Sequence, residues 1–172
     1  MIYRLLDADS PMLKVKLEPF TLESLQENWN MTPAELKENL AETMRHYKGI
    51  GLSANQCGIS VRAFVMYTSL NPENIELFMN PKIVWESEET ENITEGCLTF
   101  PGVFMSLKRP KTIEIEYMDA KGETQTRKFT GLTARVFQHE YDHMEGTNFT
   151  ERASKLKLQR ALKKAKKKFN LF

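Results

Sequence analysis

No stretch of the 172 residues approaches the roughly 20 apolar positions that a membrane-crossing helix needs, which excludes that class. Cysteine is scarce, with only Cys57 and Cys97. The opening segment MIYRLLDADSPML has neither the long apolar core nor the small-residue cleavage site of a secretory signal. A reducing cytoplasm is therefore expected, bacterial or that of a host if the gene is phage-borne, with two free thiols. The chain contains no G-x-G-x-x-G and no Gly-Lys-Ser/Thr, which removes the usual phosphate-cradling loops. It also shows no internal repeat and no linker-like composition, so residues 1–172 read as a single domain long enough to build a core.

Net charge is nearly absent as well, at +1, but the balance is uneven. Residues 152–172 hold nine basic side chains and no acid, against 15 basic and 23 acidic in residues 1–151. The body is acidic and the tail is basic.

TPAELKENLAETMRHY is the clearest helix, with Thr32 as cap, Pro33 at the first position and Glu35 completing a capping box. Leu36, Leu40, Met44 and Tyr47 make its apolar stripe. GIGLSANQCGIS is too rich in glycine and small polar residues for a regular element. Strand signals follow at VRAFVMY, 75–79, 83–86, 112–118 and 124–129, with DAKGE as a turn. Helical periodicity returns near Leu132, and a last helix from about Ser154 carries the lysines, with Leu156, Leu162, Ala165 and Phe169 as a narrow apolar stripe. Strands between helices without βαβ alternation predict an α+β fold: mostly antiparallel strands around a central histidine-bearing helix, with a basic C-terminal helix over 153–172.

Histidine is rare too, yet two of the three lie in QHEYDHMEG. On a helix His139 and His143 point the same way and can share one cation, while Glu140 reaches a water at the same centre. The helix's apolar face, Leu132 and Val136, runs the two imidazoles inward, where a shared metal accounts for them better than two unpaired rings. Catalytic metal sites of this type take three protein ligands. A downstream histidine, as in metzincins, is ruled out because Phe149 occupies its position, and no acidic residue follows Glu151. The third ligand is expected upstream. Cys97, in EGCLTFPG, is favoured because a thiolate suits zinc or ferrous iron and the flanking Gly96 and Pro-Gly allow a tight approach, with Cys57 and His46 as competitors. In GIGLSANQ the glycine backbone can lie along a peptide, with the Gln56 amide as a donor to an oxyanion.

Taken together and in order, GIGLSANQ, EGCLTFPG and QHEYDHMEG resemble the three signature motifs of peptide deformylases, G-x-G-L-A-A-x-Q, E-G-C-L-S and Q-H-E-x-D-H. The resemblance implies removal of the N-formyl group from nascent chains that begin with formylmethionine, releasing formate. It implies one divalent metal held by Cys97, His139 and His143, with Fe²⁺ as the usual native ion and Zn²⁺, Ni²⁺ or Co²⁺ as substitutes. Water in the open position would attack the formyl carbon, Glu140 serving as base and then acid. Gln56 and the Leu98 backbone N–H would stabilise the oxyanion, and Gly51 would lie beside the formyl group. Ile50, Ile93, Glu95, Leu132 and Val136 would line the methionine side-chain pocket. The motifs depart from the family at Ser53, Thr99 and Met144, and Arg135 and Phe104 fall where apolar and cationic residues respectively are seen in members. A monomer is expected, and the basic tail on an acidic body, as in some members of the family, suggests ribosome contact that deletion of residues 153–172 would weaken with turnover nearly unchanged, the alternative being a merely solvated helix face.

Two other functions use the same residues. A zinc endopeptidase would need a third ligand other than Cys97. A ribosome- or RNA-binding module with a structural metal would need a fourth protein ligand to close the site.

Overall fold

The computed structural model describes residues 1–169, apart from the side chain of Phe169, so that residue's place in the expected tail stripe lies outside the described residues. The fold is α+β, with every strand pairing antiparallel. Five strands form one sheet in the order β1-β2-β3-β6-β7: β1 Gly51–Ser53, β2 Ala63–Tyr67, β3 Ile75–Glu86, β6 Thr112–Met118 and β7 Thr124–Thr130. The other two, β4 Thr90–Cys97 and β5 Phe100–Pro110, make a separate ribbon. The helices are α1 Leu22–Trp29, α2 Pro33–His46, α3 Gly131–Met144 and α4 Lys155–Phe169.

The predicted capping box starts α2: Thr32 Oγ1 accepts from the Glu35 N–H, and Glu35 Oε2 accepts from the Thr32 N–H. Leu36, Leu40 and Met44 are buried against β1 and β2, whereas Tyr47, just past the helix, is exposed. GIGLSANQCGIS is more regular than its composition suggests, because β1 pairs with β2 and Ala54–Cys57 form a 3₁₀ turn. The two short strands expected around residue 80 are one strand. Its interruption is local, since Asn80 has φ 48° and its side-chain amide bonds both backbone groups of Phe20, bending the chain without ending it.

Helix α3 lies against β1, β2, β4, β6 and β7, so it is the element the strands wrap. Phe137 anchors it in an aromatic cluster with Phe64 and Phe78 at centroid distances of 5.0 and 5.3 Å. Beyond α3, Gly146 has φ 74°, and a Cβ there would lie 2.8 Å from the Lys14 carbonyl oxygen, so only glycine lets the chain pass.

Helix α4 is not a free arm. Ala161 and Ala165 are buried with Val103, Met105 and Leu107 of β5 and with Phe149, while Leu156 and Leu162 of the expected stripe face outward. Removing the tail would uncover part of the core, so the expectation of unchanged turnover after deletion carries a cost in stability that the sequence did not show.

Candidate active site

Cys97 is the last residue of β4, where the ribbon's register slips between Gly96 and Cys97. The slip aims its thiol at α3. There the ligand atoms of Cys97, His139 and His143 lie within 4.8 Å of one another, and no fourth ligand joins them among the described residues. Cys97 Sγ is 3.5 Å from His143 Nε2. A thiolate and two imidazoles converging at this distance fit a tetrahedral zinc or ferrous ion with one position open. The competitors fall away: Cys57 is packed in the apolar cluster under α2, and burial pushes its thiol up to about 12, while His46 is exposed and lies edge-on to Tyr47.

Burial alone would keep Cys97 protonated, but hydrogen bonds and charge from His139 and His143 hold its thiol well below the ordinary range. The deprotonated form that binds metals is the favoured one. His139 is in turn fixed by Glu95, whose Oε1 lies 2.9 Å from Nδ1, leaving Nε2 for a metal. Glu95 is itself held by Arg109, through Nε at 2.6 Å and Nη2 at 2.8 Å, and by Arg135. Although burial opposes its ionisation, bonds from His139 and Arg109 bring Glu95 down to about 2. Arg109 also grips Asp142 at 2.9 Å, and Arg152 clasps the same carboxylate from the foot of α4.

Glu140 is buried beside Gly51, where a Cβ would sit 2.7 Å from its Oε1. Glycine is what allows the carboxylate this close to the β1 backbone. Its Oε2 has no hydrogen-bond partner, an orphaned polar atom at the edge of the ligand cluster. Burial raises Glu140 to about 7, with the charges of His139 and His143 opposing the rise. A carboxyl group titrating there is suited to both accepting and returning a proton.

Ser53 fixes Gln56, because its N–H and Oγ–H both donate to Gln56 Oε1, at 3.0 and 2.8 Å. The amide nitrogen therefore faces Thr99 Oγ1 at 2.8 Å and Cys97 Sγ at 3.5 Å. A cavity of about 550 Å³ opens beside these groups, and Gly51, Gln56, Leu98 and Glu140 line it together with Ile50, Leu132 and Val136. Glu95 reaches its wall, but Ile93 does not line it. Phe104, exposed at the rim, lies over Gly96, where a Cβ would come within 2.5 Å of the ring. Phe149, at the position of a downstream ligand, instead packs its ring 5.5 Å from that of His139.

The family model for polypeptide deformylase matches residues 2–159. The chain belongs to the polypeptide deformylase family. The peptide deformylase of Thermotoga maritima is 39% identical over 156 residues, covering 91% of this chain and 90% of that protein. Its crystal structure superposes with a TM-score of 0.77 at 37% identity, covering 90% of this chain and 99% of that one. A class I type b peptide deformylase from Acinetobacter baumannii, solved with Met-Ala-Ser bound, gives 0.79 at 28% identity over 89% of this chain and 99% of that one. Family membership makes the chain an enzyme of N-terminal deformylation, and the Cys97/His139/His143 cluster fits dependence on a single metal ion.

Sequence reasoning missed Arg109, Asp142 and the support that Glu95 gives His139. Two signals were present: Asp142 is the aspartate of the Q-H-E-x-D-H motif, and Arg109 breaks a strand pattern. In β5 the buried positions alternate as Val103, Met105, Leu107 and then Arg109, so a guanidinium stands where the period demands an apolar side chain.

Proposed function

We propose that the chain hydrolyses the formamide of N-formylmethionyl peptides, with Glu140 moving the proton. The observation that carries this is the unpartnered Glu140 Oε2, buried between Gly51 and a three-ligand cluster that opens onto a peptide-sized cavity. A divalent ion held by Cys97, His139 and His143 would acidify water and polarise the formyl oxygen. Glu140 takes the proton of the attacking water and delivers a proton to the departing amine as the C–N bond breaks. The Gln56 amide, oriented by Ser53, and the Leu98 backbone N–H stabilise the negative oxygen, each such donor being worth about 3 kcal/mol elsewhere. The Gly51 backbone positions the formyl end. Ile50, Leu132 and Val136 receive the methionine side chain, and Glu95 acts mainly through His139.

The Met-Ala-Ser bound to the Acinetobacter protein is the product expected from formyl-Met-Ala-Ser, which makes that tripeptide the natural probe. Formate release from it by metal-loaded protein is the test. Absence of formate, or cleavage of internal peptide bonds instead, would overturn the reading. Thiolate and imidazole ligands accept Fe²⁺ or Zn²⁺ alike, and the family resemblance puts Fe²⁺ first as the native ion. The outward lysines of α4, set against an acidic body, support contact with the RNA phosphates of the ribosome that supplies the substrate.

A further inference from the structure

A second hollow, of about 470 Å³, lies against the catalytic cavity and shares Ile50, Leu132 and Val136 with it. These three residues form a partition with a face on each side. The far wall of the hollow is Tyr67, Leu70 and Pro72, from the end of β2 and the turn after it, and no charged residue lines it. Glu73, the one charge in the turn over 69–74, stays outside the lining. Tyr67 is tied to the partition, its N–H donating to the Ile50 carbonyl at 3.1 Å.

Leu70 is 98% exposed, and Ile50 and Leu132 are each more than half exposed. The turn that carries Leu70 is built on bonds of its own. Ser69 Oγ accepts from the Asn71 N–H at 3.2 Å and from the Asn74 side-chain amide at 2.7 Å, while Asn71 Oδ1 accepts from the Glu73 N–H at 3.0 Å. A single exposed leucine would mean nothing, but apolar side chains gathered around one hollow mark a binding groove.

The neighbouring site supplies the occupant. A peptide strand advances about 3.3 Å per residue and turns successive side chains to opposite sides, so residues 1 and 3 share a side about 7 Å apart. With the formyl end at Gly51 and the first side chain against Ile50, Leu132 and Val136, residue 2 faces away from the partition and residue 3 is the next to meet it. We propose that the hollow receives the third residue of the formylated chain and favours a large apolar side chain there, with Leu70 setting the preference. This rests on the deformylase reading of the site. A charged third residue would lose water against Leu70 and Pro72 without gaining a partner.

The test measures kcat/KM by formate release on the C-terminal amides of formyl-Met-Ala-Ser, formyl-Met-Ala-Leu and formyl-Met-Leu-Ser. Leucine at position 3 is expected to raise kcat/KM about fivefold or more over serine there, and leucine at position 2 to change it less than about twofold. Leu70→Ser, at an exposed site, is expected to bring the position-3 ratio to within about twofold of one. Turnover of all three peptides with no gain from leucine at position 3, or with an equal gain from position 2, would overturn the inference alone. A gain that survives Leu70→Ser would overturn the assignment to Leu70. A dimer in light scattering that Leu70→Ser dissociates, with no gain at position 3, would give the hollow to a second copy of the chain. No turnover of any formylated peptide would overturn the deformylase reading and the inference with it.

Discussion

Glu95 Oε1 and His139 Nδ1 are 2.9 Å apart, which makes the carboxylate the group that orients a metal-binding imidazole from behind. Partners of this kind are worth about 10–100-fold in metal affinity. Glu95→Gln is expected to weaken metal retention by that factor in a competition against a chelator. Retention equal to that of the native protein would leave His139 oriented by its packing alone.

The same carboxylate gives the metal-free protein a pH dependence. Against the opposing effect of burial, bonds from His139 and Arg109 hold the carboxyl down at about 2, below its ordinary 4.5, so its contribution to stability is complete above pH 4.5 and is lost as the pH falls toward 2. The shift corresponds to on the order of 3 kcal/mol. Denaturant unfolding at several pH values should show native and Glu95→Gln proteins far apart near pH 6 and converging toward pH 2. A constant gap across that range would place the effect elsewhere.

Glu140→Ala is expected to keep the metal and lose kcat by roughly 100- to 10,000-fold, as removal of a positioned proton carrier does. Metal content and single-turnover rate, measured on one preparation, separate the two roles. Loss of the ion along with the rate would make Glu140 a ligand.

Cys97→Ser should lose metal and turnover together, whereas Cys57→Ser should retain both, since Cys57 lies in the core beneath α2. Elemental analysis of both purified variants checks this. A metal-replete Cys97→Ser protein would move the third ligand to another residue.

Because α4 closes the core over β5, the ribosome question is better put by charge reversal than by truncation. Lys163, Lys164, Lys166 and Lys167 are all exposed. Changing the four to Glu is expected to abolish salt-sensitive cosedimentation with ribosomes while leaving tripeptide turnover within about twofold. Undiminished cosedimentation would remove the helix from ribosome contact.

The parts legible in the sequence were those whose chemistry is packed into a few adjacent residues. Cys97, His139, Glu140 and His143 each stand in a short motif, and the Thr32–Glu35 box announces its helix within one turn. What stayed hidden was long-range or carried by unremarkable side chains. Arg109 meets Asp142 across 33 positions, and no local pattern reports that pairing. Strand β4, TENITEGC, buries only Glu95, so it lacks an apolar rhythm, and Phe104 blurs that of β5 by facing outward over Gly96. On α4 the expected stripe held for Ala165 but not for Leu156 and Leu162, which face outward, while Ala161 and the half-buried Leu158 pack with it against β5.

The position of Cys97 has a consequence for the mechanical integrity of the molecule. Two ligands sit on α3, which packs mainly on the five-stranded sheet and also touches β4, and the third ends β4 of the separate ribbon. An ion held by all three is a cross-link between two halves of the architecture that share no strand pairing. Native-state affinity then adds directly to folding free energy, by RT ln(1 + [M]/Kd). Removing the ion with a chelator should therefore lower the temperature at which the ribbon parts from α3, a loss of staying power separate from any loss of rate.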